Sequence, residues 1–190
     1  SGIGGGAFML HFNNRDKKID AYDGRETAPS SIKSNIFLNS IGRPRKFRDV
    51  STGGIAVGVP GLLKMLELAH RDHGRLPWAE LFVTAVGLSE TGFKVSRRLH
   101  QMIANTPDLK IFPDTRTYFF YKNGVPLPVG HILKNRPLAA VLKRVAKDGA
   151  GVFYNGSTAR NIIQATRNTP QNPGLLTLLD IQKYEAKKRE

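Results

Sequence analysis

The chain has 190 residues and contains no cysteine, which excludes disulfide bonds, thiol catalysis and thiolate metal ligands within it. Its 40% hydrophobic and 23% charged residues are typical of a globular domain, and no apolar run approaches the ~18 residues of a membrane span. The net charge of +14 is common among nucleic-acid-binding proteins, but the basic residues are scattered and no aromatic residues alternate with them to stack on bases. We therefore predict no nucleic-acid partner; a non-catalytic basic binding module is the alternative from another functional class.

Two strands are predicted at the beginning of the chain. The apolar run Ala7–Phe12 is typical of a buried strand, and the alternating segment Lys18–Asp23 predicts the strand that returns beside it. If the last residue of the first run pairs with the first residue of the second, Gly5 lies opposite Arg25. Residues directly opposite point to the same face, so Gly5 would leave open space beside the Arg25 side chain.

The segment between the second strand and the first clear helix carries weaker signals. We predict a short helical turn at 34–38, a basic surface loop at 42–48 and a glycine-interrupted strand at 53–59.

Helical spacing of apolar residues accounts for most of the remaining chain. Proline at the start and glycine at the end set the bounds of several of these helices. The predicted helices are 60–74, with Leu62, Leu66 and Ala69 buried; 77–92, with Trp78, Leu81, Phe82, Ala85 and Leu88 buried; 96–104; 138–145, ended by Gly149; 159–166; and 177–184, which begins with a capping box. A hairpin of residues 118–121 and 125–127 is predicted around the turn sequence Asn123-Gly124.

These elements define an α+β chain with an incomplete sheet. Two or three strands cannot form a self-sufficient sheet against this many helices. The tail from Lys187 to Glu190 has no pattern of a closing strand. We expect residues 1–190 to form a single partial domain, whose sheet is completed by further strands in residues 30–60 or by sequence outside this chain.

Several features that resemble chemical sites have simpler explanations. Ser1 is not followed by the rigid strand that an N-terminal nucleophile needs, and the glycines at 2–6 precede a strand rather than the helix N-terminus of a phosphate-binding loop. His70 and His73 share a helix face, but we predict a solvated helix end rather than a metal site. Ser157 is predicted to cap a helix. No cofactor and no metal site are predicted.

The motif Asp23-Gly24-Arg25-Glu26-Thr27-Ala28-Pro29 is the most informative. It follows the second strand, and Pro29 forces a change of chain direction. Arg25 presents a planar guanidinium that matches a carboxylate, and a desolvated contact of this kind contributes about 1.5–3 kcal/mol. A structural ion pair of Arg25 with Asp23 or Glu26 explains the motif equally well, and the residues alone leave both interpretations open.

A series of short motifs runs through the chain in a fixed order. The motifs are Gly4-Gly5-Gly6-Ala7-Phe8-Met9-Leu10, Asp23-Gly24-Arg25-Glu26-Thr27-Ala28-Pro29, Val57-Gly58-Val59-Pro60-Gly61, Leu68-Ala69-His70, Leu76-Pro77-Trp78-Ala79-Glu80-Leu81, Glu90-Thr91-Gly92-Phe93, Phe153-Tyr154-Asn155-Gly156, and Leu176-Thr177 with Asp180 and Tyr184. One of them would be weak evidence, but the ordered series resembles the γ-glutamyltranspeptidases (glutathione hydrolases) over essentially the whole chain.

The resemblance implies the αββα four-layer fold of the N-terminal-nucleophile hydrolases, of which this chain would be part of the large subunit. Such enzymes cleave themselves into a large and a small subunit, and the new N-terminal threonine of the small subunit attacks the γ-glutamyl amide. The γ-glutamyl-enzyme then passes the glutamyl group to water or to an amino acid or peptide acceptor. No catalytic residue is therefore expected in this chain, which alone is expected to be inactive.

The resemblance also implies a substrate-binding residue and partners. Arg25 matches the arginine that binds the substrate α-carboxylate. Expected partners are γ-glutamyl compounds such as glutathione and the small subunit of the same precursor, and the expected location is periplasmic or extracellular. A related acylase or a poly-γ-glutamate-processing enzyme of the same fold is the alternative, because the residues that separate these activities lie mostly in the small subunit.

Overall fold

A computed structural model describes residues 2–189 of the chain. Within these residues the helices are α1 (Phe47–Ser51), α2 (Leu62–His73), α3 (Val83–Thr91), α4 (Arg97–Ala104), α5 (Pro113–Phe119), α6 (Arg136–Asp148), α7 (Gly151–Tyr154), α8 (Gly156–Arg167) and α9 (Leu178–Gln182). The strands are β1 (Ala7–Asn13), β2 (Lys18–Gly24), β3 (Phe93–Lys94), β4 (Ile132–Leu133) and β5 (Lys187–Arg189). Short 3-10 helices lie at Gly54–Ala56, Trp78–Phe82 and Pro107–Lys110.

The residues group into two compact units. One comprises the chain up to Leu81 and from Arg144 onward, and the other comprises Phe82–Lys143. The first holds a three-stranded sheet in the order β1-β2-β5, and the second holds the two-stranded sheet of β3 and β4. The organisation of residues 1–190 as a single partial domain stays a prediction.

The β1–β2 hairpin forms as predicted, but its predicted register is wrong by one residue. Asn13 pairs with Lys18 and Ala7 with Gly24, so Gly5 does not lie opposite Arg25. The loop has four residues rather than five, because Lys17 adopts a left-handed backbone with φ of 54° and the Asn13 side chain accepts a hydrogen bond from the loop. Such a loop conformation is not encoded in the alternation of apolar residues.

The prediction that β1 is a buried strand is also wrong, because only one of its faces is covered. On that face, Tyr22 of β2 packs with Met65 and Ala69 of α2 to form a buried cluster. Gly24 allows the close approach, since a Cβ atom there would lie 2.4 Å from the Cβ of Met65. The opposite face of β1 leaves large apolar side chains exposed at Phe8, Leu10 and Phe12.

The tail does contain a closing strand, contrary to the prediction. β5 pairs antiparallel with β2, with Tyr22 opposite Lys188 and Asp23 opposite Lys187. Three successive basic residues, Lys187-Lys188-Arg189, give no strand signal in the sequence. The strand forms because carboxylates of distant residues compensate these charges. Lys188 contacts carboxylates of β2 and α2, and Arg189 contacts Asp23.

The predicted exposed loop is present at 42–46, and only its last two residues belong to α1. The predicted strand at 53–59 is wrong: the 3-10 helix Gly54–Ala56 takes its place, with a single bridge from Val59 to Thr27. Asn172 determines this conformation from 120 positions away. Its side chain donates to the carbonyls of Asp49 at 2.7 Å and Thr52 at 2.9 Å. The backbone carbonyl of Asn172 accepts a hydrogen bond from the N–H of Ile55 at 3.0 Å. The local sequence could not predict these contacts, whereas the turns predicted near 34–38 are present at 34–37.

The helices were predicted more reliably than their buried faces. α2, α4, α6, α8 and α9 form within a few residues of their predicted bounds, and Gly149 ends α6 with φ of 83°. In α2, Leu63 and Met65 are buried while Leu66 is exposed, because β2 contacts a face shifted from the predicted one.

The region predicted as one helix at 77–92 begins as the 3-10 helix Trp78–Phe82 and continues as α3. Within it, Leu81, Ala85 and Leu88 are exposed rather than buried, whereas Phe82 is buried as predicted.

Two other local predictions are corrected. The aromatic residues at 118–119 belong to α5, so the predicted hairpin is reduced to one bridge between Phe120 and Pro126 around the Asn123-Gly124 turn. Ser157 does not cap α8, which follows Asn155, and its hydroxyl instead accepts from Arg144 at 3.1 Å. By contrast, the predicted capping box of Thr177 with Asp180 is confirmed at the start of α9.

Candidate functional site

Arg25 directly follows β2, and its backbone is fixed on both sides. Its N–H donates to Asp23 Oδ1 at 2.9 Å, and its carbonyl accepts from the hydroxyl of Tyr184 at 2.8 Å. Tyr184 is itself buried beyond α9, so a residue from the end of the chain holds the backbone from which the Arg25 side chain projects. Burial raises the pKa of the Tyr184 hydroxyl, as do the nearby carboxylates of Asp23 and Glu26, which keeps it a hydrogen-bond donor.

The Arg25 guanidinium is exposed, and no carboxylate among residues 2–189 forms an ion pair with it. Asp23 is one of the two residues that could form a structural ion pair with Arg25, but its side chain contacts Arg189 instead. Its Oδ2 atom accepts from Arg189 Nε at 2.7 Å and Nη2 at 2.6 Å. The backbone N–H of Arg25 and the Arg189 guanidinium together hold the pKa of Asp23 below its usual value. The structural ion pair of Arg25 with Asp23 is thus not formed.

Glu26, the other rival partner, lies against two glycines of the family motifs. A Cβ atom at Gly6 would lie 2.5 Å from Glu26 Oε2, and one at Gly58 would lie 2.9 Å from Glu26 Cβ. Side chains at these two positions would displace Glu26. The glycines therefore give Glu26 its position, and the Arg25 guanidinium has no described protein carboxylate as its partner.

Backbone hydrogen bonds bring the three N-terminal motifs together around Arg25. The carbonyl of Gly5 accepts from the N–H groups of Gly61 and Leu62, each at 3.0 Å. The N–H of Val59 donates to the carbonyl of Thr27 at 2.8 Å. Residues as far apart in sequence as Gly5 and Leu62 thus belong to one continuous structure, which explains why the order of the motifs is informative.

A cavity of about 360 Å³ adjoins this structure. Arg25 and the residues that follow it, up to Pro29, form one wall. Ile32, Phe37 and residues 55–58 form the rest. Sequence reasoning identified Arg25 but missed Ile32, Phe37 and Ile55, which lie in segments without helix or strand periodicity and so carry no signal of a shared cavity. The arrangement places one cation at the edge of a largely apolar wall, as expected of a site for a small organic carboxylate.

The two histidines at the end of α2 have different surroundings. His70 lies 2.8 Å from the carbonyl of Leu76 and edge-on to Trp78. His73 is only partly exposed and lies 3.1 Å from Asp20 Oδ2 and 2.8 Å from the hydroxyl of Tyr22. The prediction of a solvated helix end is therefore wrong for His73, because the sheet covers this side of α2. Ser1, which was considered as a nucleophile, lies outside the described residues.

Comparison of the fold identifies the structural class of the chain. The crystal structure of Helicobacter pylori γ-glutamyltranspeptidase superposes with a TM-score of 0.91 at 28% sequence identity, covering 99% of this chain and 53% of that one. The α+β chain therefore has the N-terminal-nucleophile hydrolase fold, with only part of its sheet present.

Sequence comparison then identifies the family. A family model described as γ-glutamyltranspeptidase matches residues 1–190. Glutathione hydrolase 2 of Arabidopsis thaliana is 36% identical over 100% of this chain and 31% of its own length. The glutathione hydrolase proenzyme of Bacillus subtilis strain 168 is 32% identical over 97% of this chain and 31% of its own length. The chain belongs to the γ-glutamyltranspeptidase family, and it spans about a third of the length of these curated relatives.

No helix within residues 2–189 combines the length and the apolar character that crossing a membrane requires.

Proposed function

We propose that the protein containing this chain is a γ-glutamyl transferase or glutathione hydrolase, in which Arg25 binds the α-carboxylate of the γ-glutamyl donor. The observation that carries the proposal is the Arg25 guanidinium, which has no ion-pair partner among residues 2–189 and forms the edge of a 360 Å³ cavity. The family motifs 4–10, 23–29 and 57–61 converge at this point. A guanidinium left unpaired beside a cavity is available for the two oxygens of a ligand carboxylate.

Binding at the α-carboxylate orients the donor. A γ-glutamyl compound carries its reactive amide carbonyl several bonds away from that carboxylate, so fixing one end restricts the positions of the other. Restricting the reacting carbonyl in this way lowers the entropic part of the activation barrier. In this proposal Arg25 selects and orients the substrate, while a threonine outside residues 1–190 forms the γ-glutamyl-enzyme that water or an acceptor then releases.

A small subunit from the same precursor is the proposed protein partner. The name of the Bacillus subtilis relative, a proenzyme, supports a precursor that is processed. The exposed face of β1, with Phe8, Leu10 and Phe12, supports a second sheet packed upon it, because uncovered apolar faces of this size are rare in isolated soluble proteins. A periplasmic or extracellular location is proposed from the family alone.

The proposal is tested in the full-length protein with two donors, one a γ-glutamyl anilide and the other its analogue lacking the α-carboxylate. Wild type is expected to prefer the first donor in kcat/KM by at least about tenfold, since a charged hydrogen-bonded contact contributes about 1.5–3 kcal/mol. The Arg25→Lys variant is expected to lose most of this preference through a raised KM, because lysine cannot form the two parallel contacts. Self-cleavage is expected to continue, which reports a correctly folded precursor.

Arg98→Lys is the matched control, because Arg98 is exposed on α4 and forms no described ion pair. It is expected to keep the donor preference of wild type. An unchanged KM for the γ-glutamyl donor in Arg25→Lys would refute the role of Arg25. Equal use of both donors by wild type would refute the γ-glutamyl assignment and favour the acylase alternative.

A further inference from the structure

Three potential metal ligands meet at one end of the β1–β2 hairpin. They are His11 of β1, Asp20 of β2 and His73, the last residue of α2. One ligand atom from each of them lies within 4.8 Å of the other two. The three residues come from positions 11, 20 and 73, so the sequence gives no metal-binding spacing. Only the packing of α2 on the sheet brings them together.

The distance between two of the ligand atoms matches a bound metal ion. A zinc ion with tetrahedral geometry and bond lengths of about 2.0–2.2 Å holds neighbouring ligand atoms about 3.3 Å apart. His73 Nε2 and Asp20 Oδ2 are 3.1 Å apart, a distance that a hydrogen bond between them also has, and the same nitrogen lies 2.8 Å from the Tyr22 hydroxyl. The rings of His11 and His73 are stacked, with centroids 3.7 Å apart and planes inclined by 14°, so the third ligand lies beside the second, and the rings would turn apart to direct one nitrogen each at a shared ion.

His11 supplies an independent observation that points to a ligand. Its Nδ1 atom is buried and has no hydrogen-bond partner. Leaving a buried polar atom unsatisfied is costly, and such atoms are rare in folded proteins. A bound water or a metal ion satisfies a buried ring nitrogen where no protein group does, and the neighbouring ligands Asp20 and His73 favour the ion.

The surroundings of the cluster hold the carboxylate ligand in place. Lys188 lies 3.1 Å from the other oxygen of Asp20, Oδ1, and 3.2 Å from Asp72 Oδ2. Tyr22 donates to Asp72 Oδ2 at 2.7 Å, which orients the phenol beside His73. The contact of Lys188 with Oδ1 leaves Oδ2 facing the histidines, and outer contacts of this kind fix ligands in known metal sites. A cavity of about 780 Å³, lined in part by His11 and His73, gives access to water and ions.

We propose that His11, Asp20 and His73 form a binding site for one zinc-class divalent ion, with a remaining coordination position open to water. Imidazole nitrogen and carboxylate oxygen are ligands that Zn²⁺ accepts. The ion would connect β1, β2 and the C-terminal end of α2, the three elements around the buried cluster of Tyr22 and Met65. The inference does not depend on the proposed function, because none of its ligands belongs to the Arg25 cavity.

The test titrates Zn²⁺ into the full-length protein after treatment with a chelator, using a competing chromophoric chelator as the readout. Wild type is expected to bind one equivalent at this site. His11→Phe preserves the stacked ring but removes its nitrogens. Because it removes one of the three proposed ligands, it is expected to weaken Zn²⁺ binding by at least about tenfold. Asp20→Asn is expected to weaken binding by a similar factor. His131→Phe removes a histidine outside the cluster and is expected to bind as wild type does.

Two results would overturn the proposal. One is a wild-type protein with no Zn²⁺ affinity above that of His11→Phe, and the other is equal binding by wild type, His11→Phe and Asp20→Asn. If either variant folds poorly, a zinc-edge anomalous difference map from a crystal of the wild-type protein decides the question without a variant. A peak among the three ligands supports the site, and its absence after soaking with Zn²⁺ contradicts it.

Discussion

Arg189 donates from both Nε and Nη2 to the same oxygen of Asp23, while the other oxygen of Asp23 accepts the backbone N–H of Arg25. The tail strand β5 thus occupies the carboxylate that lies two residues before Arg25. Because both oxygens of Asp23 already accept hydrogen bonds, Asp23 does not form an ion pair with the Arg25 guanidinium. The pair of Asp23 and Arg189 therefore keeps the proposed substrate-binding residue available.

We predict that Arg189→Gln in the full-length protein weakens donor binding. The released Asp23 carboxylate would compete with substrate for Arg25, and because exposed ion pairs are weak the expected rise in KM is at most about fivefold. Lys183→Gln is the control, because it removes the same charge from an exposed position after α9. Michaelis constants for the γ-glutamyl donor check this, and equal constants for both variants would contradict the competition.

Local signals in the sequence predicted the parts of the structure that depend on neighbouring residues. α2 is bounded by proline and glycine, and the capping box of Thr177 with Asp180 lies within one turn. Both are correct because their determinants are close in sequence. Arg25 was identified for the same reason, since its motif directly follows a recognisable strand.

Contacts between distant residues explain what the sequence did not predict. β5 forms because Lys188 and Arg189 meet acidic residues of β2 and α2, and α1 forms where Asn172 binds its carbonyls. The predicted register of β1 and β2 was wrong because it depends on the left-handed backbone conformation of Lys17, which the apolar pattern does not indicate. The cavity residues beside Arg25 lie in irregular segments, so only the packed structure brings them together.

Gly24→Ala is expected to destabilise the sheet against α2. The new methyl group would lie 2.4 Å from the Cβ of Met65 and 3.0 Å from the carbonyl of Gly61, and neither atom is the end of a flexible side chain. Overpacking of this kind costs about 1–3 kcal/mol. Urea denaturation of the full-length protein measures it. Gly151→Ala, where a Cβ atom would meet nothing within 4 Å, is the control and is expected to leave stability unchanged or slightly raised.

Asp180 is expected to make stability depend on pH in the acidic range. Burial alone would raise its pKa, but hydrogen bonds from Thr177 and from the backbone of Ser30 outweigh burial and lower it to about 2 from the ordinary 3.8. Because the folded-state pKa is the lower one, the stabilisation is complete above about pH 4 and is lost as the pH falls toward 2.

The Asp180→Asn variant measures this contribution. It is expected to be about 1 kcal/mol less stable than wild type at pH 6, because the capping box loses the N3 carboxylate that accepts from Thr177, and to approach wild type near pH 2. Denaturation midpoints across pH 2–6 give the comparison. A difference that stays constant over the whole range would contradict a contribution from the ionised carboxylate.

The exposed face of β1 is expected to be an assembly surface, because the near-continuous apolar run of this strand is typical of a strand with both faces covered. Met9 and Ala7 pack toward α2 on one face, while Leu10 on the other is 73% exposed between two exposed phenylalanines. In the four-layer fold this face meets a second sheet, so Leu10→Asp would place a charge in that interface, where it cannot be hydrated. We predict loss of the assembled two-subunit protein in size-exclusion chromatography.

Ile41→Asp, at a side chain 70% exposed but outside the sheet, is expected to assemble normally. If Leu10→Asp also assembled with wild-type yield and stability, the face of β1 would not be covered by another sheet, and the proposed partner would have to bind elsewhere.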